Sequence, residues 1–177
     1  MAGADILDAR AAFRNAMAAV PAPVHVITTD GPVGKGGITA TAFTAITDEP
    51  PTVLVCLNRN SYAAGLVKTN GTLAVNTLPD GMHETAGRFA GVGKLAMPDR
   101  FMPEEDWQQS PHGAPILPNA LAVFDCRVQE VQEMGTHFLF FCTVETSMSR
   151  APSHEGMIYH QRGYKITSTP PARPTNP

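Results

Sequence analysis

GGITATAFTAITDEPPTVLVCLNRNS, residues 36–61, carries four local signals in order. Ile38–Thr47 is small and threonine-rich, with the β-branched content that suits a pleated strand. The paired prolines Pro50 and Pro51 then predict a turn. Thr52–Asn58 is almost continuously apolar, the pattern of a strand covered on both sides. Asn58–Ser61 opens a helix, with Ser61 as its N-cap. This order sets hydroxyls and backbone amides on a rigid strand beside a helix N-terminus, where anions are favoured. A flat, phosphate-bearing cofactor uses both.

Working outward, residues 8–19 predict an amphipathic helix capped by Asp8, with Ala9, Phe13, Ala16, Met17 and Val20 on one face. Pro21 and Pro23 stop it, and Val24–Thr29 reads as a strand. Beyond residue 61 come a short helix over Ser61–Thr69 ended by Asn70-Gly71, a strand over Thr72–Thr77 and a helix over His83–Ala90. Residues 91–118 are proline-rich and predict a long loop holding Trp107, the only tryptophan; loops of that length are often functional. Ala120–Val131 and Thr136–Thr146 form a hairpin-like pair, and Met157–Tyr159 and Gly163–Ile166 are short closing strands. About seven strands with antiparallel connections and three helices point to a mainly β (α+β) fold. A barrel with peripheral helices fits this order better than a doubly wound sheet. Residues 1–167 are expected to form one domain, and 168–177 (STPPARPTNP) a disordered tail.

Bulk composition narrows the function. Hydrophobic residues make up 43% and charged residues 16% of the 177, as in an ordinary globular protein. A net charge of −3 without basic runs argues against a nucleic-acid surface. Cys56, Cys126 and Cys142 sit in apolar segments and read as buried free thiols. With no secretory h-region and no apolar run long enough to span a bilayer, a soluble, cytoplasmic protein without a membrane partner is expected.

Several motifs fail on inspection. Gly91-Val92-Gly93-Lys94 lacks the first glycine of a phosphate loop, where Arg88 stands, and the following Ser or Thr, where Leu95 stands. Gly31–Gly37 misses the dinucleotide fingerprint and precedes no helix. His83-Glu84 begins like a zinc-protease helix, but Gly87 occupies the second histidine's position. No zinc spacing and no serine-hydrolase elbow is present, so no metal site is expected.

FRNAM (13–17), VHVITTDGP (24–32), residues 37–61, NGTLAVNTL (70–78), RFAG (88–91), RF (100–101), GAPIL (113–117), FDCRV (124–128), GTHFLFF (135–141), and Tyr159 with Tyr164 follow one another in a telling order. In that order the chain resembles the short-chain flavin reductases, from Phe13 to Tyr164. The resemblance implies a homodimeric split β-barrel with a flavin-reductase-like, FMN-binding fold and the flavin near the subunit interface. It implies an NAD(P)H:flavin oxidoreductase, NADH-preferring, that reduces FMN or FAD. The reduced flavin would pass to a partner flavin-dependent monooxygenase. NRNSYAAG (58–65), FAGVG (89–93) and the loop holding RF (100–101) look most like reductase partners of aromatic-compound and pyrimidine monooxygenases. Two alternatives share the fold: a flavin-binding protein without reductase turnover, and an FMN-dependent oxidase of the pyridoxamine-phosphate type. A third reading, a non-enzymatic structural dimer, would bind no flavin.

Residue by residue, Thr39, Ala40, Thr41 and Ala42 read either as a strand filling a tight barrel interior or as a floor that a ring approaches closely. The resemblance puts the isoalloxazine ring along them. Asn58, Arg59, Asn60 and Ser61 read as a capped helix start with a solvated arginine, or as an anion site. The resemblance puts the flavin ribityl and phosphate there, bordered by Arg88 and Phe89, with Lys94 and Arg100 weaker candidates. A lone strand histidine such as His137 is usually structural; the resemblance puts it beside flavin and nicotinamide, as the residue that positions the pyridine nucleotide. Tyr159 and Tyr164 close the pocket or pack the core.

Overall fold

The computed structural model describes residues 2–150 and 155–168. Its first half contains α1 (Ala2–Ala18), β1 (Ala22–Pro23), β2 (His25–Thr29), β3 (Gly36–Ala40), β4 (Phe43–Asp48), β5 (Pro51–Asn58), α2 (Tyr62–Asn70), β6 (Thr72–Thr77) and α3 (His83–Phe89). The second half contains β7 (Gln108–Gln109), β8 (Pro115–Ile116), β9 (Ala122–Met134), β10 (His137–Ser149), β11 (Met157–His160) and β12 (Gly163–Ile166). The expected elements are present, with one consequential difference: the run over Ile38–Thr47 is two strands. β3 pairs with β2, β4 pairs with β5, and the chain turns at Thr41–Ala42 between them. Local residue preference favours a strand throughout; the break comes from which partner each half finds.

The main sheet is antiparallel, in the order β3-β2-β6-β9-β10-β5-β4. Its two edges, β3 and β4, are consecutive in the chain. A flat seven-stranded sheet would hold its edges roughly 29 Å apart, yet three residue steps from Ala40 to Phe43 span at most about 11 Å. The sheet must therefore curl until its edges almost meet. No ladder joins β3 to β4 among the described residues, so the expected barrel is not closed by hydrogen bonds.

Side-chain alternation along β2 divides the core. Ile27 joins Val55, Leu57, Val75, Phe140 and the α2 residues Ala64 and Val67, whereas Val26 joins Leu78, Phe89, Phe101, Leu117 and Met157. β5 alternates too: Val53, Val55 and Leu57 are buried, while Leu54 and Cys56 are only half-buried. The expectation of cover on both sides thus holds for one face within this chain, and Cys56 is not fully buried. The 91–118 segment is anchored despite its length, because Phe101 and Trp107 stack edge-on with each other and with Phe89 at 4.9–5.5 Å.

Two helix ends follow their sequence signals. Ser61 caps α2 by accepting the amide of Ala64 at 3.2 Å, and Gly71, at φ 74°, closes it by donating to the Val67 carbonyl. α1 starts six residues before the predicted Asp8 cap; Phe13 and Met17 on it, and Val20 just past its end, are exposed instead of packed. No helix among the described residues is long and apolar enough to cross a membrane. The tail beyond Ser168 lies outside the described residues.

Candidate active site

The corner between β3 and β4 forms one wall of a cleft of about 380 Å³. Thr39, Ala40, Thr41, Ala42, Asn58, His137 and Tyr159 all line it, seven of the residues singled out from sequence. The sheet register explains the grouping. Asn58 ends β5 directly opposite His137, the first residue of β10, and the ladder continues past that pair with the Arg59 amide donating to the Thr136 carbonyl at 3.0 Å. Thr41 and Ala42 belong to no ladder, and among the described residues their amide N–H groups donate to no protein acceptor. Two exposed donors therefore sit beside the small side chains of Ala40 and Ala42.

A second cleft, of about 370 Å³, shares Ile38, Thr39 and Ala90 with the first. Ser61, Tyr62 and Ala63 at the start of α2 line it, with Phe89 and Arg100. The first-turn amides of a helix have no partner within the helix, so Tyr62 and Ala63 offer N–H donors where the macrodipole is positive. Arg100 is held through Nε to the Leu95 carbonyl at 3.2 Å.

The structure separates the remaining residues from these two clefts. Arg59 is exposed and pairs with Glu133, and Asn60 is an exposed turn residue whose amide donates to Asn58 Oδ1 at 2.9 Å. Arg88 lines a third cleft, of about 420 Å³, and donates to the Glu84 carboxylate and the Met102 carbonyl. The hydroxyl of Thr39 donates to the Ala86 carbonyl at 2.6 Å, which fastens α3 to β3.

Sequence reasoning missed Cys56 and Ala90 as lining residues. Cys56 was detectable by parity, since it shares the Asn58 face of β5. Burial raises its thiol pKa, so it stays protonated and poorly nucleophilic. Burial, with Tyr159 nearby, likewise raises the Tyr164 hydroxyl. His25 was also missed; it lies across the ladder from Ala40 and is buried. Desolvation lowers its pKa to about 4, leaving it neutral near pH 7.

The second cleft continues from the first past Thr39 and Ala90, so a small-residue floor with free backbone donors leads into a pocket lined by helix amides and a guanidinium. The model of the flavin reductase like domain matches residues 17–168 of this chain. The chain belongs to that family. Among its flavin reductase relatives, the FMN reductase (NADH) RutF of Enterobacter sp. (strain 638) is 46% identical over 158 residues, covering 89% of this chain and 94% of that one. Of solved flavin reductase-like structures, nitrilotriacetate monooxygenase component B from Mycobacterium thermoresistibile superposes with a TM-score of 0.82 at 27% identity. That match covers 97% of this chain and 93% of the other. The NADH:FAD oxidoreductase SgcE6 of Streptomyces globisporus, solved with NAD and FAD fragments, gives 0.80 at 28% identity, covering 93% and 95%.

Proposed function

We propose that this chain is an NADH:flavin oxidoreductase that reduces FMN, and supplies the reduced flavin to a separate monooxygenase. The observation that carries the reading is the corner at Thr41–Ala42. It offers two free backbone donors beside a small-residue floor, in one cleft with Asn58 and His137. Near full-length similarity to a protein named as an FMN reductase (NADH), and likeness to a monooxygenase component, support the donor, the acceptor and the downstream partner.

Bound flavin supplies the hydride acceptor; the protein supplies geometry and fixed dipoles. The Thr41 and Ala42 amides belong to a rigid corner, so they can meet an electron-rich ring edge without reorganising. The α2 amides at Tyr62 and Ala63, with Arg100, would hold the phosphate. His137 and Asn58, opposite each other across the β10–β5 ladder, would orient the dihydronicotinamide over the ring. Tyr159 would form the outer wall. In this reading Arg59 and Arg88 act only if their ion pairs with Glu133 and Glu84 open. FAD is a second acceptor, since it shares the ring, ribityl and first phosphate.

The curled sheet is read as a split barrel, and the chain as a cytoplasmic homodimer. Exposed apolar residues on α1 and on β4, including Phe13, Met17 and Ile46, would be covered by the second copy. Steady-state rates for NADH and NADPH against FMN, FAD and riboflavin test the activity; no dihydronicotinamide oxidation with any flavin overturns it. His137→Ala should raise the KM for NADH while FMN binding is retained. If neither KM nor kcat moves, the positioning role is wrong.

A further inference from the structure

The third cleft has no part in the reading above, although it adjoins the first. Tyr164 lines both. Three aromatic rings run from one to the other: Tyr159 packs edge-on against Tyr164 at 5.6 Å, and Tyr164 against His83 at 5.9 Å. At about 420 Å³ the cleft lies within the size range of small-molecule sites. Its ionisable walls are His83, Glu84 and Arg88, besides Tyr164. Arg88 is engaged twice, by the Glu84 carboxylate and by the Met102 carbonyl. The Glu84 side chain is 79% exposed and keeps acceptor capacity after that pairing.

We propose that this cleft receives the adenosine half of the dihydronicotinamide dinucleotide, and that Glu84 selects the 2′-hydroxyl form over the 2′-phosphate form. The inference rests on the reductase reading and deepens it. The second cleft, with its helix amides, takes the flavin phosphate, which leaves the third to the other reactant. A row of aromatic edges and faces suits a planar base lying across it. A ribose 2′-hydroxyl can donate to the Glu84 carboxylate, as acidic residues do in other dinucleotide folds. A 2′-phosphate would instead bring like charge against that carboxylate. The guanidinium that could offset the charge is already neutralised by Glu84.

The test compares kcat/KM for NADH and NADPH with FMN as acceptor, in wild type, Glu84→Gln and Glu84→Arg. Using FMN keeps a flavin adenylate out of the cleft. Loss of a hydrogen bond to a charged acceptor lowers the NADH-to-NADPH ratio roughly tenfold in Glu84→Gln, and Glu84→Arg lowers it further by supplying a cation. Glu84 is exposed at the start of α3, so both variants should fold, checked by circular dichroism and FMN titration. An unchanged ratio in a folded variant overturns the inference alone. In a second arm with FAD as acceptor, a KM shift for FAD in the variants without one for NADH overturns it as well, assigning the cleft to the flavin adenylate. Wild type that oxidises neither nucleotide overturns the reductase reading and this inference together.

Discussion

Acidification should destabilise this protein through His25, a residue that touches no expected substrate. The ring is buried at 2% exposure, lies edge-on to Phe43 at 4.9 Å, and shares a 3.0 Å hydrogen bond between Nδ1 and Thr77 Oγ1. Its Nε2 has no partner among the described residues. Protonation would put a positive charge on a ring buried away from water with Nε2 unpartnered, and this desolvation lowers the folded-state pKa from 6.5 to about 4. The sign follows from proton uptake. Between those two values the unfolded chain binds a proton that the folded chain refuses, so stability falls as pH drops through that window. Above 6.5 both states are neutral and nothing is lost. At about 1.36 kcal/mol per pKa unit, the full loss is roughly 3 kcal/mol, complete near pH 4.

His25→Gln isolates this contribution from the acidic side chains, because glutamine does not titrate. Urea unfolding of wild type and variant, measured across pH 6.5 to 4, gives two curves. At the upper end the wild type should be more stable by about 1 kcal/mol, the net worth of the Thr77 hydrogen bond. The gap should shrink with acid and then reverse, since only the wild type has a ring to charge. A gap that is constant over the window, or an NMR titration of His25 at an ordinary value, refutes the reasoning. His25 faces Ala40 across the β2–β3 ladder, so FMN affinity should fall over the same window.

Gly37→Ala should lower stability by about 1–3 kcal/mol, because an added Cβ would stand 2.7 Å from Phe89 Cε1 and 3.1 Å from the Ile27 carbonyl oxygen; thermal unfolding measures it. Asp125→Ala should cost about 1–3 kcal/mol in urea unfolding, since the buried carboxylate accepts from His112 Nδ1 at 2.7 Å and from the His112 amide at 3.3 Å, tying the long loop to β9. Ala42→Leu should leave stability near wild type, because Ala42 is exposed, yet weaken FMN binding in a fluorescence titration by filling the cleft mouth.

The elements were legible because their signals are local. Ser61 and Gly71 bracket α2 by capping chemistry, and Thr72–Thr77 is a strand in both readings. What stayed hidden depends on partners distant in the chain. The apolar stripe over Phe13, Met17 and Val20 was visible, but not that it would stay exposed among the described residues. Arg59 and Arg88 carried the right charge for a phosphate, but each meets a carboxylate, Glu133 on β9 and Glu84 one helical turn back, that motif order does not reveal. The aromatic anchors Phe101 and Trp107 are likewise invisible as anchors until Phe89 is placed between them and β3.

The break at Thr41–Ala42 is the most instructive of these misses. Both residues suit a strand, and nothing adjacent to them ends one. The interruption follows from closure: a sheet whose consecutive strands lie at opposite edges must curl, and the connecting residues cannot pair with both neighbours at once. Their amides are left free for the same reason that the sheet remains open between β3 and β4. The donors in the candidate ring cleft are therefore a product of sheet topology, and substitutions that keep both side chains small should preserve them whatever the side-chain chemistry. A Thr41→Ser, Ala42→Gly double variant keeps that backbone corner and should retain FMN binding, whereas Thr41→Pro removes one amide and should weaken it. Equal affinity in all three proteins, measured by titration, would show that the corner amides take no part.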